Sequence, residues 1–445
     1  MRARLTLLAL LLTIAVLVPP ASPTAAQNTA VSRHILPNGL TVLISENQNA
    51  DLVAVQVLTK AGQRMAEPGQ AGIAAFVTAM LPRGTQRRSA QEIALALESV
   101  GGTIGTTTGH DYTQLSTITP ARHANLALDV LADMVTGARF DPADIETQRR
   151  ITLSVVRQRL DQPSIRVQEL AAGGVYPHHP YGPPLAGTVE SISSFTRDDL
   201  LRFYQTFYLA SNMVVVVTGN LTQEMARASV QRAFAGVRTG ELPRRVRLLP
   251  AVEKALAPRP AGPVEIRATQ RTGAAWIAIS YPAPEIDHRD WAALRVLDTV
   301  LGGGLSSRLF TEIRERQGLV YSINSTYLTR IGPSMLTLFA ATDASNLTRV
   351  LEGMLREATR LAEAPVGDDE LERARNQLIG IHALNHEDLR NQAFLLGWYE
   401  ILGVGYQFDR RVPDLISKVT AEDVQRVART YLKNPVTAII VPPAR

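Results

Sequence analysis

The sequence contains no cysteine among its 445 residues. This absence excludes disulfide bonds, a thiolate metal site and a lipid anchor attached to cysteine. Packing must therefore supply the stability, and the apolar fraction of 45% is ordinary for a globular chain. At ~100–200 residues per domain, the length predicts two to four domains.

Long hydrophobic runs are also missing, apart from one near the N-terminus. Residues 5–18 form an apolar run of 14 residues that follows a basic start and ends at two prolines. A membrane span needs about 20 residues, whereas a short apolar run followed by small residues up to Ala26 is the layout of a secretory signal peptide. We therefore expect residues 1–26 to be a signal peptide, no membrane span after its cleavage, and a periplasmic or secreted location.

An excess of charge is missing as well, since the formal net charge is only +5. The most basic stretch, residues 238–247, lies among prolines and predicts a solvated linker, not the basic face that nucleic-acid binding needs. We expect no nucleic-acid partner. Composition divides the remaining chain into an N-terminal domain at 27–240, a linker at 241–264 and a C-terminal domain at 265–445.

Strand and helix patterns alternate in both halves. Residues 32–36 and 40–46 alternate as strands around Asn38-Gly39, the strongest short hairpin signal. A strand and two helices in the first half have counterparts of the same type and spacing in the second. These segments are 115–119, 121–136 and 140–156, matched by 336–340, 344–360 and 365–382. We predict an α+β fold of two duplicated halves, each a mixed, mainly antiparallel sheet backed by helices.

Several short motifs occur in an order that resembles one peptidase family. They are Leu-Pro-Asn-Gly-Leu-Thr-Val at 36–42, Ala-Gly-Gln-Arg at 61–64, Arg-Gly-Thr at 83–85, His-Pro-Tyr-Gly at 179–182 and Gly-Gly-Gly-Leu-Ser-Ser-Arg-Leu-Phe at 302–310. Together they resemble the insulinase/pitrilysin metallopeptidases almost to the C-terminus. This resemblance implies that the two halves, each a sheet backed by helices, pack as part of a clamshell that opens and closes to admit peptides.

Active members of the family carry His-x-x-Glu-His on the first long helix, where two histidines hold zinc and the glutamate is the base. In this chain the corresponding positions are Ala75, Thr78 and Ala79, none of which can bind zinc or take a proton from water. The third ligand, a glutamate, would fall near Ser154 or Val155, where no carboxylate occurs. We therefore predict no catalytic residue and no metal in this chain.

A second pair of histidines needs a separate interpretation. His382 and His386 are four residues apart on a predicted helix, a spacing that suits metal binding. The residue before His386 is asparagine, so the base of the inverted motif is absent. We interpret the pair as polar residues on a partly exposed helix face.

The second half retains the family's other functional pair. Arg314 and Tyr321 are seven residues apart, with Gly-Leu-Val between them, and the resemblance implies that both side chains hold a peptide over the zinc of the opposite half. Gly302, Gly303 and Gly304 resemble a substrate-contacting loop of the same family, and they also suit the turn before the helix that carries Arg314.

These features predict a non-catalytic, substrate-binding subunit of an exported zinc peptidase. It has two expected partners. One is a homologous subunit that carries the zinc motif and binds the zinc, and the other is a peptide substrate. Two alternatives stay open: a non-catalytic assembly protein with the same fold, and, with less support, an independent metallopeptidase.

Overall fold

A computed structural model describes residues 30–244, 246 and 261–443. The predicted signal peptide and most of the predicted linker lie outside the described residues. Within the described ranges, no helix combines the length and apolar character needed to cross a bilayer.

The N-terminal half contains six strands and eight helices among its described residues. The strands are β1 Val31–Ile35, β2 Thr41–Glu46, β3 Leu52–Thr59, β4 Thr103–Thr108, β5 Thr113–Pro120 and β6 Met213–Gly219. The helices are α1 Ile73–Met80, α2 Ala90–Glu98, α3 Ala124–Gly137, α4 Pro142–Leu160, α5 Pro163–Val175, α6 Val189–Ser194, α7 Arg197–Phe207 and α8 Gln223–Ala233.

The C-terminal half repeats much of this order. Its strands are β7 Val264–Thr269, β8 Ala275–Ala283, β9 Val320–Tyr327, β10 Ser334–Thr342 and β11 Val436–Val441. Its helices are α9 Trp291–Gly302, α10 Leu347–Glu363, α11 Asp368–Asn385, α12 Leu389–Ile401, α13 Phe408–Ser417 and α14 Ala421–Tyr431, with a π-helical turn at Phe310–Glu315.

The two sheets have the same topology, which confirms the predicted duplication. The first sheet has the order β1-β2-β6-β3-β5-β4 and the second has the order β7-β11-β8-β10-β9. Apart from β1, the two orders correspond strand by strand. The parallel pairs are β2–β6 in the first sheet and β7–β11 in the second, and the other neighbouring pairs are antiparallel. The predicted hairpin is present, because β1 pairs with β2 and Gly39 adopts φ +87° in the turn.

Each sheet is covered on one face by its own helices and on the other by a helix from the opposite half. Helix α5 packs on β8 and β11 of the second sheet through the buried residues Val167 and Ala171. Helix α12 packs on β3 and β6 of the first sheet through Ala393 and Leu396. This exchange gives the two halves a shared apolar interior, so they form one interlocked unit.

A buried polar cluster also joins the halves, and it explains the His-Pro-Tyr-Gly motif. The Tyr181 hydroxyl donates to Asp111 Oδ1 and accepts from the Gly332 N–H at 3.2 Å. The guanidinium of Arg330, from the second half, lies 4.5 Å from the Tyr181 ring centre. His179 Nδ1 accepts from the Tyr181 N–H at 3.1 Å, so the motif forms a structural turn.

Candidate functional site

The three residues at the family's zinc positions lie on α1. Thr78, at the glutamate position, is buried, and its hydroxyl donates to Ala74 O at 2.7 Å. That hydroxyl also lies 3.4 Å from the Tyr208 hydroxyl, whose pKa is raised by burial. Ala75 and Ala79 are half-buried methyl groups. This face of α1 therefore presents two methyl groups and one internally bonded hydroxyl.

A cavity of about 270 Å³ borders these residues and reaches β4 and α4. Its lining side chains are apolar or hydroxyl-bearing except for Arg159, which forms a 2.8 Å ion pair with Glu169. Ser154 and Val155, near the third-ligand position, are exposed on α4. Because zinc needs about three nitrogen, sulfur or carboxylate ligands, the residues present do not fit the family's metal.

Arg314 and Tyr321 lie on either side of a tight turn at the edge of the second sheet. Arg314 belongs to the π-helical turn, and Tyr321 is the second residue of β9. The Gly318 N–H donates to Arg314 O at 3.1 Å, and Gly318 adopts φ +62°, a conformation suited to glycine. Buried Ile313 anchors the turn in the core.

Both side chains of this pair are available to solvent. Tyr321 is 62% exposed, an unusual level for a tyrosine at the start of a strand. Arg314 is exposed, and its guanidinium lies 4.9 Å from the Phe310 ring centre. Among the described residues it has no acidic partner within salt-bridge distance. The pair can therefore donate hydrogen bonds to an incoming ligand without breaking an existing ion pair.

Two neighbouring arginines, unlike Arg314, form ion pairs in the described part of the chain. Arg308 forms a forked ion pair with Glu370 at 2.8 and 2.7 Å, so its role is structural. Arg316 pairs with Glu312 at 2.6 Å on the exposed surface. Of these three arginines, Arg314 belongs to the pair that the family resemblance indicates. It is also the only one of the three without an ion pair among the described residues.

The glycine run has a clear packing role. A Cβ atom on Gly302 would lie 2.3 Å from the Ser325 backbone nitrogen, and one on Gly303 would lie 2.6 Å from Thr299 Cα. Gly304 faces Gln377, whose Nε2 donates to Gly303 O at 2.9 Å. These contacts hold the end of α9 against β9. The predicted substrate contact of the loop stays a prediction.

The histidine pair of the second half has a third partner that the sequence analysis does not predict. Asp409, at the start of α13, lies 2.8 Å from His386 and 3.8 Å from His382. The helical spacing of the histidines was visible in the sequence, but Asp409 is 23 residues beyond His386 and is brought near only by the packing of α13 on α11.

Two family models match the chain, one after the other. The model described as Insulinase (Peptidase family M16) matches residues 41–189, and that described as Peptidase M16 inactive domain matches residues 194–378. A protein of Streptomyces coelicolor named as an uncharacterized zinc protease is 30% identical over 419 residues, which are 93% of this chain and 90% of that protein. The chain belongs to the M16 peptidase family.

Other M16 relatives and solved structures cover the same length. A protein of Mycobacterium leprae, also named an uncharacterized zinc protease, is 31% identical over 94% of this chain and 93% of its own. A protease from Helicobacter pylori has a TM-score of 0.85 at 20% identity and covers 93% of this chain and 100% of its own. A peptidase M16 inactive domain from Pseudomonas fluorescens has a TM-score of 0.84 at 19% identity, covering 93% and 98%. The solved structures confirm the predicted fold.

Proposed function

We propose that this chain is the substrate-binding, non-catalytic subunit of an M16 peptidase whose zinc is held by a homologous partner subunit. One combination of features carries the proposal. The zinc positions at Ala75, Thr78 and Ala79 offer no ligand, whereas Arg314 and Tyr321 remain exposed and free of internal ion pairs. The first set cannot hold zinc, and the second set is available to bind a peptide.

The chemistry of the two exposed side chains suits a peptide in a hydrolytic site. The guanidinium of Arg314 presents a planar fork of N–H donors that matches a carbonyl or carboxylate oxygen. The phenol of Tyr321 can donate to an oxygen that gains negative charge during attack, as an oxyanion-hole group does. In the proposed complex the partner supplies the zinc, two histidines and the base, and this chain orients the peptide.

Strand β4 supplies a second feature that favours peptide binding. It lies at the edge of the first sheet, pairs with β5 on one side, and has α1 and the 270 Å³ cavity beside it. An edge strand presents unpaired N–H and C=O groups that can take up an extended peptide as an additional strand. The lining residues Thr106 and Thr108 alternate along β4 and face this cavity, which could receive a peptide side chain.

A larger, mainly apolar cavity continues from the same region. It has a volume of about 610 Å³ and is bordered by α4, α5 and the loop at 182–190. Arg159 lines both cavities. The larger volume is in the range of sites that bind small ligands or a few peptide residues, which supports peptide binding.

We also propose that the chain acts outside the cytoplasm, in the periplasm or the medium. The support is the apolar run at 5–18 and the small residues up to Ala26. The absence of cysteine is compatible with an oxidising compartment.

The test is peptide hydrolysis by three preparations: this chain, an M16 homologue from the same organism that carries His-x-x-Glu-His, and the two combined. Each is assayed with a quenched fluorescent peptide library, with zinc and with a chelator. We expect activity in the mixture alone, together with a heteromeric species in size-exclusion chromatography. Full activity of the homologue by itself, unchanged on mixing, would refute the proposal and favour an assembly role for this chain.

A further inference from the structure

Three side chains that suit a metal ion converge in the C-terminal half, on the helical side of the second sheet. His382 lies in the last turn of α11, His386 caps that helix, and Asp409 is the second residue of α13. One ligand atom from each residue lies within 4.8 Å of the other two. The cluster is separate from the family's zinc position on α1, because it is built on different helices of the opposite half.

The carboxylate of Asp409 is the buried member of the cluster. Its side chain is only 8% exposed, and Oδ2 lies 2.8 Å from His386 Nε2. Oδ1 is buried and has no hydrogen-bond partner. A buried carboxylate oxygen without a donor is costly, by about 1–3 kcal/mol or more, and a cation bound at Oδ1 would remove that cost.

The ring of His386 is hydrogen-bonded as in a metal-binding histidine. Nδ1 lies 2.7 Å from His382 O, and because a carbonyl can only accept, Nδ1 must be the donor. Histidines that bind metals usually donate their other ring N–H to a carbonyl or carboxylate, which fixes the tautomer. Nε2 is then the atom directed at Asp409, and without a metal it must carry a proton to meet the carboxylate.

The separations suit a small transition-metal ion. Zinc bonds of about 2.0–2.1 Å in tetrahedral geometry place ligand atoms about 3.3 Å apart. The observed distances are 2.8 Å from His386 Nε2 to Asp409 Oδ2 and 3.8 Å from His382 Nε2 to Asp409 Oδ1, on either side of this value. One ligand atom from each residue lies within 4.8 Å of the other two, so side-chain rotations would bring the three to metal-bonding separations. Both histidines are partly exposed, which leaves an open side for a water ligand.

We propose that His382, His386 and Asp409 bind a divalent transition-metal ion with two imidazoles and one carboxylate. This donor set suits zinc and, in a titration, cobalt or nickel. The ion would fasten α11 to α13. Because α11 also carries Gln377 and Glu370, which hold the glycine loop and Arg308, the metal would stabilise the support of the Arg314 turn. The proposal does not depend on the proposed function.

The test is a zinc titration of the tag-free full chain, after removal of metals with a chelator, in competition with a chromogenic chelator. We expect one zinc per chain and a rise in melting temperature with added zinc. His382→Ala and Asp409→Asn are each expected to weaken binding by at least about 10-fold, the loss that even outer-shell changes cause. Wild-type affinity in both variants would overturn the proposal.

His288→Ala is the matched control. His288 also lies beside a buried carboxylate, 3.8 Å from Asp290, but it has no second histidine there, so its removal should leave zinc binding unchanged. A second measurement needs no variant: zinc should protect His382 and His386, but not His288, from modification by diethyl pyrocarbonate, as mapped by mass spectrometry. Absence of a stoichiometric site, or equal protection of all three histidines, would mean that the cluster is only a hydrogen-bonded clamp between helices.

Discussion

Replacing Tyr181 with phenylalanine removes one hydroxyl from the boundary between the two halves and changes little else. In the folded chain that hydroxyl donates to Asp111 Oδ1 and accepts from the Gly332 N–H at 3.2 Å. Tyr181 and Asp111 are both buried, so water cannot take the place of the lost group. Tyr181→Phe therefore leaves a carboxylate oxygen and a peptide N–H without their partner.

The expected loss follows from the two groups affected. A hydrogen bond to a charged group contributes about 1.5–3 kcal/mol, and a buried donor left unpaired costs about 1–3 kcal/mol. Asp111 keeps one bond from the Ile331 N–H at 3.2 Å, so we expect a total of about 2–4 kcal/mol near neutral pH. Tyr176→Phe is the control, because it removes a hydroxyl that donates to a neutral acceptor, Pro333 O, at 2.9 Å, and should cost about 1 kcal/mol.

The loss caused by Tyr181→Phe should also depend on pH. Burial raises the pKa of Asp111, whereas the Tyr181 hydrogen bond lowers it, so the variant raises this pKa further. A carboxyl whose pKa is higher in the folded than in the unfolded state contributes stability below its unfolded pKa and loses that contribution as pH rises through the folded value. The destabilisation should therefore be larger at pH 8 than at pH 5.

Urea unfolding of the wild type and both variants at pH 5 and pH 8 measures these differences, with the denaturant slope as a check on the unfolded state. An equal loss of the free energy of unfolding in the two variants at both pH values would contradict the role given to the Tyr181–Asp111 hydrogen bond.

Three further substitutions test the packing around the site, each by thermal unfolding. Gly302→Ala should cost about 1–3 kcal/mol, since its Cβ would lie 2.3 Å from the Ser325 backbone; a wild-type melting temperature would contradict the close approach of α9 to β9. Thr78→Glu should cost about 3 kcal/mol or more by burying an unpaired carboxyl, and should yield no zinc-dependent activity; a stable, active variant would disprove the account of α1. Gly397→Ala should also cost about 1–3 kcal/mol, because its Cβ would lie 2.5 Å from Leu58 Cδ1 and 2.8 Å from Val216 Cγ2, both buried where α12 packs on the first sheet.

Local sequence chemistry was sufficient for elements with a clear pattern. The hairpin around Asn38-Gly39 is where the sequence predicts it, within one residue at each strand end. Helix α1 begins only at Ile73, because Gly72 adopts φ +87° before it. Strand β4 is not predicted, since its threonines and glycine show no alternation of apolar and polar residues.

Long-range packing was the part that sequence could not supply. Helix α5 covers the sheet of the opposite half through Val167 and Ala171, and no local pattern in the sequence indicates this placement. In the same way, the positions of Arg314 and Tyr321 follow from the family motif, whereas their exposure follows from the turn at Gly318. The sequence also does not predict that Asp409 lies beside His382 and His386, because the packing of α13 on α11 brings them together.

Steady-state hydrolysis by the reconstituted two-subunit complex measures whether Arg314 and Tyr321 contribute to substrate binding and turnover. Tyr321→Phe and Arg314→Ala should each lower kcat/KM by about 100-fold or more, as loss of a transition-state donor does. Arg316→Ala, two residues away and already paired with Glu312, should change it by less than about twofold. Equal activity of all three variants, with complex formation intact, would contradict a substrate-binding role for this chain.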